Sequence, residues 1–369
     1  MDRQKRSPAR HARARFHPRP RRARDHQDAE SREHRQFLNL KDTFGRPLRD
    51  LRLSLTDRCN FRCTYCMPAD REHHFLPDES CLTANEIESL AKIFLSLGVE
   101  KIRLTGGEPL LRDDLLEIVS RLRALSPTLD LALTTNGFQL DRIADSLKKA
   151  GLTRLTVSLD ALDQRNFGRM SGSKGHVARV LGGIEAASKA GFEKIKINAV
   201  IKRGVNEQEV LPLAERFRGS DTILRFIEYM DVGNQNGWSP GDVFPAKEIL
   251  SLLQRSVSLV SLEENYFGEV ARRYRYADGT GEIGFITSIS EPFCSSCTRA
   301  RLSADGKFYT CLFSGNGHDL LSPLRAGASE SEMKSLIEKI WTSRNDRYSE
   351  ERSQQLVAAP KVEMYQIGG

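Results

Sequence analysis

The sequence predicts an α/β fold in which six β/α units build an incomplete barrel, followed by an α+β region that covers its open side. Three observations support this prediction. Six strand-like runs alternate with five amphipathic helical runs between residues 51 and 229. Glycine or polar residues stand at the carboxyl ends of several of these strands, where barrel enzymes place their functional groups. The alternation stops after Met230.

The first β/α unit shows the pattern clearly. Its strand, predicted over 51–55, alternates polar and apolar residues. Its helix begins at Thr83, where Glu86 three residues later predicts a capping box, and Gly98 supplies the stop. Apolar residues at helical spacing form one face of this helix: Ile87, Leu90, Ala91, Phe94 and Leu97.

Five more strands and four more helices continue the alternation. The strands are predicted over 101–105, 131–135, 155–159, 195–201 and 223–229. The helices are predicted over 113–125, 141–150, 177–190 and 207–217. Strict alternation implies parallel strands with right-handed crossovers. Six units are too few for a closed eightfold barrel, so we expect an open one.

The C-terminal region has shorter elements. Strands are predicted over 270–276, 282–288 and 307–310, and helices over 329–341 and 350–358. We therefore expect three parts: a basic leader over 1–40, a partial barrel over 41–231 and a C-terminal region over 232–369.

The basic leader accounts for the net charge of +7. Residues 1–35 contain 12 Lys+Arg and 5 Asp+Glu, which leaves 44 of each sign in the rest of the chain. With few large apolar residues, this segment should be disordered. We favour a functionless extension over a transit peptide or a weak polyanion-binding arm, and we expect no nucleic-acid partner.

The apolar runs and the cysteines of the sequence indicate the cellular compartment of the protein. No run of some 18 apolar residues occurs, so we expect no membrane span, and no apolar signal segment precedes the first motif. Six of the seven cysteines stand in metal-like groups, which favours a reducing compartment, the cytoplasm.

The first cysteine group contains Cys59, Cys63 and Cys66 in a C-x3-C-x2-C spacing. Thiolates this close on one loop are more readily metal ligands than disulfide partners. Structural zinc takes four protein ligands, whereas three thiolates on a 4Fe–4S cubane leave one iron free to bind something else. A zinc knuckle with a remote fourth ligand stays an alternative.

The second cysteine group contains Cys294, Cys297 and Cys311. It again offers three thiolates, and the simplest interpretation is a second cluster with an open iron. The leftover Cys81 is expected to be a small buried residue.

Cations within predicted strands form a further pattern. Arg52 and Arg103 stand on the first two strands, and Lys196 on the fifth; Arg299 and Arg301 lie among the second group of cysteines. Arginine binds phosphate oxygens in pairs, so these residues predict a polyphosphate site if they point into the barrel. No GxxxxGK[ST] motif is present, so a nucleotide bound here would be substrate rather than fuel.

Glycine and polar residues mark the strand ends. The stretch 105–109 reads Thr-Gly-Gly-Glu-Pro and is by itself a tight turn. Other polar or sulfur-bearing residues stand at the ends of the later strands and would suit a nucleoside cofactor: Thr134, Asn136, Ser158, Asp160 and Met230.

Two resemblances arise from these motifs. The first cysteine group, with Tyr65 before its last cysteine and with the Gly-Gly-Glu stretch, resembles the radical S-adenosylmethionine (SAM) enzymes. The second group, the segments RFIEYMDVGNQNGW, YFGEV and CTRARLSADGKFYTCLF, and the terminal diglycine make residues 45–369 similar to the GTP 3′,8-cyclase family of molybdenum-cofactor biosynthesis.

That resemblance implies two 4Fe–4S clusters, held by Cys59, Cys63 and Cys66 and by Cys294, Cys297 and Cys311. SAM would contact Tyr65, Gly106, Gly107, Glu108, Ser158 and Met230. GTP would contact Arg52, Arg103, Thr134, Lys196, Arg299, Ala300 and Arg301. The diglycine tail would reach into the active site.

The implied reaction converts GTP to (8S)-3′,8-cyclo-7,8-dihydroguanosine 5′-triphosphate. A 5′-deoxyadenosyl radical would remove the ribose 3′ hydrogen, after which C3′ attacks C8 of the guanine and a further electron and proton quench the resulting radical. The implied partners are an electron donor, the next enzyme of the pathway and, in a homodimer, a second copy. The alternative is a radical SAM enzyme whose auxiliary cluster serves a peptide or another small molecule.

Overall fold

One twelve-stranded sheet runs through the residues that the structure describes. The computed structural model describes residues 40–172, 175–352 and 360–368. The predicted leader therefore lies almost wholly outside the described residues, as does Gly369.

Six consecutive parallel strands form the centre of the sheet, as the alternation predicts. They are β1 Asp50–Ser54, β2 Lys101–Thr105, β3 Asp130–Thr135, β4 Arg154–Ser158, β5 Lys196–Ile201 and β6 Ile223–Glu228. The fold class, an incomplete barrel of β/α units, is confirmed.

Helices connect these strands: α1 Ala84–Ser96, α2 Leu115–Leu125, α3 Leu140–Lys149, α4 Gln164–Ser171, α5 Val177–Lys189 and α6 Val210–Phe217. The predicted capping box of α1 is present, with Glu86 and Thr83 each satisfying the other's backbone N–H. Helix α4 was not predicted, because its two turns are too short for a periodic apolar face to stand out.

The C-terminal region adds six strands and five helices within the described residues. The strands are β7 Leu259–Leu262, β8 Arg272–Tyr276, β9 Glu282–Ile286, β10 Arg299–Leu302, β11 Lys307–Tyr309 and β12 His318–Asp319. The helices are α7 Ala246–Gln254, α8 Leu321–Arg325, α9 Glu330–Thr342, α10 Tyr348–Glu351 and α11 Met364–Ile367. Strands β8, β9 and β11 confirm the predicted ones, whereas the helix predicted over 350–358 falls mostly on residues 353–359, outside the described residues.

The C-terminal strands continue the barrel at both edges. Strand β10 pairs parallel with β1 and β9 pairs parallel with β6, so the sheet order is β12-β11-β10-β1-β2-β3-β4-β5-β6-β9-β8-β7. No hydrogen bonds join β12 to β7 in the described part of the chain, so the barrel stays open.

The two faces of strand β1 have different surroundings. Leu51 and Leu53 of β1 are fully buried in the apolar layer shared with the helices. Because successive side chains of a strand point to opposite faces, Arg52 between them points into the barrel. None of the described helices has the length and apolar character of a membrane span.

Candidate active site

Both cysteine groups line one cavity inside the barrel. The cavity also contacts nearly every predicted site residue. From the SAM and GTP sets these are Tyr65, Gly106, Gly107, Glu108, Ser158, Met230, Arg52, Arg103, Thr134, Lys196, Arg299 and Arg301, with Cys59, Cys63, Cys66, Cys294, Cys297 and Cys311 beside them. Ala300 differs, because it lies on the opposite face of β10 with its side chain buried in the core.

The loop after β1 carries the first three cysteines. Cys63 begins a turn in which its carbonyl accepts hydrogen bonds from the backbone N–H groups of Cys66 (3.0 Å) and Met67 (2.9 Å). The Phe61 backbone N–H donates to Cys59 Sγ at 3.4 Å. The loop is therefore shaped by backbone hydrogen bonds that leave the thiols facing the cavity.

Gly106 and Gly107 pack directly against this loop. A Cβ added to Gly106 would lie 2.3 Å from the carbonyl oxygen of Thr56, and one added to Gly107 would lie 2.2 Å from that of Arg58. The Gly107 backbone N–H donates to the Thr56 carbonyl at 2.7 Å. The glycines thus allow the cysteine loop to approach strand β2 closely, a reason that the sequence pattern alone did not reveal.

The three thiols oppose one another's ionisation. Burial, with the Glu108 carboxylate adding to it, raises the pKa of Cys59 to about 11. Burial and the neighbouring Asp160 and thiol groups raise the pKa of Cys63 well above its usual value. A set of thiols that resists ionisation in this way suits a cationic cluster, because bound iron supplies the positive charge that stabilises the thiolates.

The second group lies in a more positive setting. Cys294 opens a short 3-10 turn, and Cys297 ends it. The Arg299 guanidinium donates to Cys297 Sγ at 3.3 Å. Burial acts to raise the pKa of Cys297, but the Arg299 and Arg344 guanidinium groups outweigh it and hold that pKa at about 6.

A single metal ion has no evident ligand set here. Among the described residues, no three His, Cys, Asp or Glu side chains are grouped so that they could hold one ion. A cubane differs, because its thiolates bind separate iron atoms. The chemistry of two triads of cavity-lining thiols therefore fits iron–sulfur clusters, and the zinc alternative gains no support.

The predicted SAM residues are held by a second layer of contacts. The Tyr65 hydroxyl donates to Asp160 Oδ2 at 2.9 Å, and Asp160 Oδ1 accepts from the Val200 backbone N–H at 2.8 Å. Glu108 accepts from the Thr135 hydroxyl (2.7 Å) and from the Asn136 N–H (2.7 Å). Burial raises the pKa of Glu108 to about 7, although these donors favour its charged form.

The cations form a row across neighbouring strands. Arg52 of β1 is in register with Arg103 of β2 on one side and with Arg301 of β10 on the other. Residues in register share a face of the sheet, so the three guanidinium groups enter the cavity together. Arg103 donates to the Thr134 and Thr156 hydroxyls, both at 3.0 Å.

This row has few anionic partners. Burial, Arg301 and Arg299 together hold the pKa of Arg52 well below its usual value. Burial and Arg225 lower the pKa of Lys196 to about 7. The Asp50 carboxylate lies two residues before Arg52 and lines the same cavity, and although its burial opposes ionisation, Lys101, Arg52 and Arg103 hold its pKa at about 2. Buried cations in such excess suit a polyanionic ligand.

Sequence reasoning missed several residues of this cavity. Lys101 pairs with Asp50 at 2.8 Å, and Arg225 donates to Asn198 Oδ1 at 2.9 Å. All four line the cavity, as does Tyr266. Residues two apart on a strand share one face of the sheet. Applied to β1, β2 and β5, this rule would have identified Asp50, Lys101 and Asn198, because each lies two residues from a predicted cation.

The C-terminal segment reaches the same place. The Arg301 guanidinium donates to the Gly368 carbonyl and, at 3.3 Å, to that of Ile367. Gly368 has a φ of 69°, and a Cβ there would lie 2.2 Å from Cγ2 of Thr105. The tail therefore approaches the predicted phosphate site at Gly368, while Gly369 lies outside the described residues.

Comparisons with known proteins agree with this geometry. The family model of the radical SAM superfamily matches residues 53–217, and the model described as Molybdenum Cofactor Synthesis C matches residues 222–350. The GTP 3′,8-cyclase of Xanthomonas axonopodis pv. citri is 52% identical over 332 residues, which cover 89% of this chain and 99% of the relative. The chain belongs to the GTP 3′,8-cyclase family.

Other relatives support this membership. The GTP 3′,8-cyclase of Staphylococcus carnosus is 45% identical over 89% of this chain and 99% of its own. Among solved structures, Streptococcus suis SuiB bound to S-adenosylmethionine matches with a TM-score of 0.55 and 16% identity, covering 90% of this chain and 72% of SuiB. This likeness shows the fold alone. Membership of the radical SAM superfamily implies SAM and one 4Fe–4S cluster as cofactors.

Proposed function

We propose that this chain converts GTP to (8S)-3′,8-cyclo-7,8-dihydroguanosine 5′-triphosphate, the first step of molybdopterin biosynthesis. The observation that carries the proposal is that two cysteine triads and a row of cations line a single cavity. The names of relatives at 43–52% identity support the same substrate.

Cys59, Cys63 and Cys66 would hold the cluster that binds SAM, beside Tyr65, Gly106, Gly107, Glu108, Ser158 and Met230. When bound, this cluster and SAM supply the radical that removes the ribose 3′ hydrogen of GTP. The chain's own part is to orient and enclose the reactants. The Tyr65–Asp160 hydrogen bond fixes one wall of that pocket, and Glu108 holds the end of β3 beside the cysteine loop.

Cys294, Cys297 and Cys311 would hold an auxiliary 4Fe–4S cluster. Three protein thiolates leave one iron without a protein ligand, and we assign that position to the guanine of GTP. Two observations support a cluster here: the three thiols line the same cavity as the first triad, and Arg299 donates to Cys297 Sγ.

The cation row would bind the triphosphate. Arg52, Arg103 and Arg301 share one face in register, with Arg299 beside them and with Lys196, Lys101 and Arg225 along the same wall. Thr134 would contact the ribose or a phosphate next to Arg103. The anion relieves the repulsion among these cations, so phosphate binding and orientation of the ribose are coupled.

Several wider predictions belong to the same proposal. An electron donor would reduce the cluster, the product would pass to the next enzyme of the pathway, and the reaction would take place in the cytoplasm. A homodimer stays a prediction. We retain the division into a leader over 1–40, a barrel over 41–231 and a C-terminal region over 232–369.

Anaerobic incubation with SAM, a strong reductant and GTP, followed by mass analysis, tests the function. We expect a product with the mass of GTP that differs from GTP on chromatography, together with 5′-deoxyadenosine and methionine. Cleavage of SAM with GTP left intact would instead favour another substrate, such as a peptide. The same preparation should hold about eight irons per chain.

A further inference from the structure

A buried ion-pair network lies beside the second cysteine group, and three of its members also line the cavity. It consists of Asp42, Arg46, Arg344 and Asp346, and we call it the anchor network. Asp42 Oδ2 accepts from Arg46 Nε at 2.5 Å and from Arg344 Nη1 at 3.3 Å, and Arg344 Nε donates to Asp346 Oδ2 at 3.2 Å. The side chains of Asp42, Arg46 and Arg344 are 0%, 1% and 2% exposed. Burying three charged side chains this completely is costly, so their remaining contacts deserve an explanation.

Those contacts go to the cysteine backbone. Arg46 Nη1 donates to the Cys294 carbonyl at 2.8 Å and to the Asp346 carbonyl at 2.9 Å. Arg344 Nη1 donates to the Cys297 carbonyl at 2.8 Å. Each arginine therefore holds one cysteine of the short turn, and Asp42 ties the two arginines to each other.

The network joins segments that are distant along the chain. Arg46 precedes β1, Arg344 follows α9, and the turn between Cys294 and Cys297 precedes β10. Each guanidinium group also packs against an aromatic ring. The centre of the Phe44 ring lies 5.0 Å from Arg46 Cζ, and the centre of the Trp341 ring lies 4.5 Å from Arg344 Cζ. None of the contacts that the structure gives for these two arginines involves Cys59, Cys63 or Cys66.

We propose that Arg46 and Arg344, paired through Asp42, are positioning residues that hold Cys294 and Cys297 at the spacing a cluster needs. This inference rests on the auxiliary cluster of the proposed function. Outer contacts that orient ligands commonly change metal affinity by about 10- to 100-fold when they are lost. Loss of the anchor network should therefore loosen the auxiliary cluster and leave the first cluster unaffected.

The test separates the two clusters by removing one triad at a time. In a chain carrying Cys59→Ala, Cys63→Ala and Cys66→Ala, only the second triad can hold a cluster. In a chain carrying Cys294→Ala, Cys297→Ala and Cys311→Ala, only the first can. Arg46→Met and Arg344→Met are introduced separately into both backgrounds and reconstituted anaerobically. Iron, sulfide and the rate of cluster loss to a chelator are then measured.

In the first background, which keeps only the second triad, we expect each arginine variant to speed iron loss by about tenfold or more. In the second background, which keeps only the first triad, the rate of iron loss should be unchanged. Arg123→Met is the matched control, because Arg123 also holds backbone carbonyls, those of Gly151, Ser126, Pro127 and Leu129, but lies at the end of α2. It should affect neither cluster selectively.

The outcomes distinguish the inference from the function on which it rests. If the first background binds no cluster even with Arg46 and Arg344 intact, the auxiliary cluster itself is wrong. If that cluster forms and both arginine variants release iron at the unmodified rate, the anchor network has no positioning role. Equal losses in both backgrounds would show a general folding defect and would likewise overturn the inference.

Discussion

Arg52 is the residue that most clearly links the fold to the ligand. It lies in register between Arg103 and Arg301, and the nearby Asp50 carboxylate only partly offsets the repulsion among these cations. An arginine that is held at a lowered pKa by burial and by neighbouring cations destabilises the folded state while no anion is bound. With the proposed binding of GTP, a polyphosphate at this site would therefore stabilise the folded protein.

Arg52→Met is expected to weaken GTP binding by about tenfold or more, because a charged hydrogen bond contributes roughly 1.5–3 kcal/mol. The same change should raise the melting temperature of the ligand-free protein, since it removes a repelled cation. Calorimetry and thermal unfolding measure both effects. Arg121→Met, on the surface of α2, serves as the control, and a variant that melts lower than the parent would contradict the repulsion argument.

Lys196 predicts a pH dependence of GTP binding. Its pKa of about 7 lies below the usual 10.5, so at pH 8 the free protein holds this side chain largely neutral. A bound phosphate favours the charged form, so binding at pH 8 should take up a proton, and affinity should fall as pH rises above about 7. Titration calorimetry in two buffers of different ionisation enthalpy measures this uptake. Lys196→Met should reduce it and the exposed Lys92→Met should not; equal uptake in all three proteins would contradict the prediction.

At this scale the sequence indicated many of the residues that line the cavity, but not all of them. Arg52, Arg103 and Lys196 stand out because charged residues are unusual in strands covered by helices. Lys101 and Arg225 are also charged residues in such strands. Lys101, however, is the first residue of its strand and resembles an ordinary boundary residue. The contacts of Glu108 with Thr135 and Asn136 depend on the pairing of β2 with β3, which spacing alone does not give.

Strand β10 is the element that spacing could not predict. Its four residues, Arg299–Leu302, contain two arginines and begin two residues after Cys297, so they resemble a loop. Its partner β1 lies some 250 residues away in the chain, and parallel pairing over such a separation leaves no local signal. That pairing nevertheless decides where Arg301 points.

Gly107→Ala tests how tightly the cysteine loop packs against β2. The added Cβ would lie 2.2 Å from the Arg58 carbonyl oxygen, so the loop must shift. We expect the reconstituted iron content to fall from about eight toward about four per chain, with the second cluster retained. Gly168→Ala in α4 is the matched control, since a Cβ there meets nothing within 4 Å. Full iron content in Gly107→Ala would show that the loop tolerates the shift.

The described part of the molecule is an open barrel extended by strands of the C-terminal region. The alternation of strands and helices predicted the central six strands, because each crossover is local in sequence. The C-terminal region was expected to cover the open side, and its strands β9 and β10 lengthen the sheet at both edges and bring the second triad to the cavity. Sequence periodicity says which segments are strands but not which edge they join.

Removal of residues 1–35 should leave GTP turnover unchanged, because the remaining chain has equal numbers of acidic and basic residues and contains all the described residues that line the cavity. The measurement compares steady-state product formation by the full chain and the shortened one under anaerobic conditions. A loss of activity would instead favour a functional polyanion-binding arm.

The parallel pairing of β1 with β10 also sets an order of events during synthesis. Cys59 leaves the ribosome about 235 residues before Cys294, and the wall that carries Arg301 forms later still. Chains are synthesised at about 5–20 residues per second, so roughly ten to fifty seconds pass between the synthesis of the first three cysteines and that of this wall. Oxidative damage to newly made chains should therefore fall most heavily on the earliest cysteines.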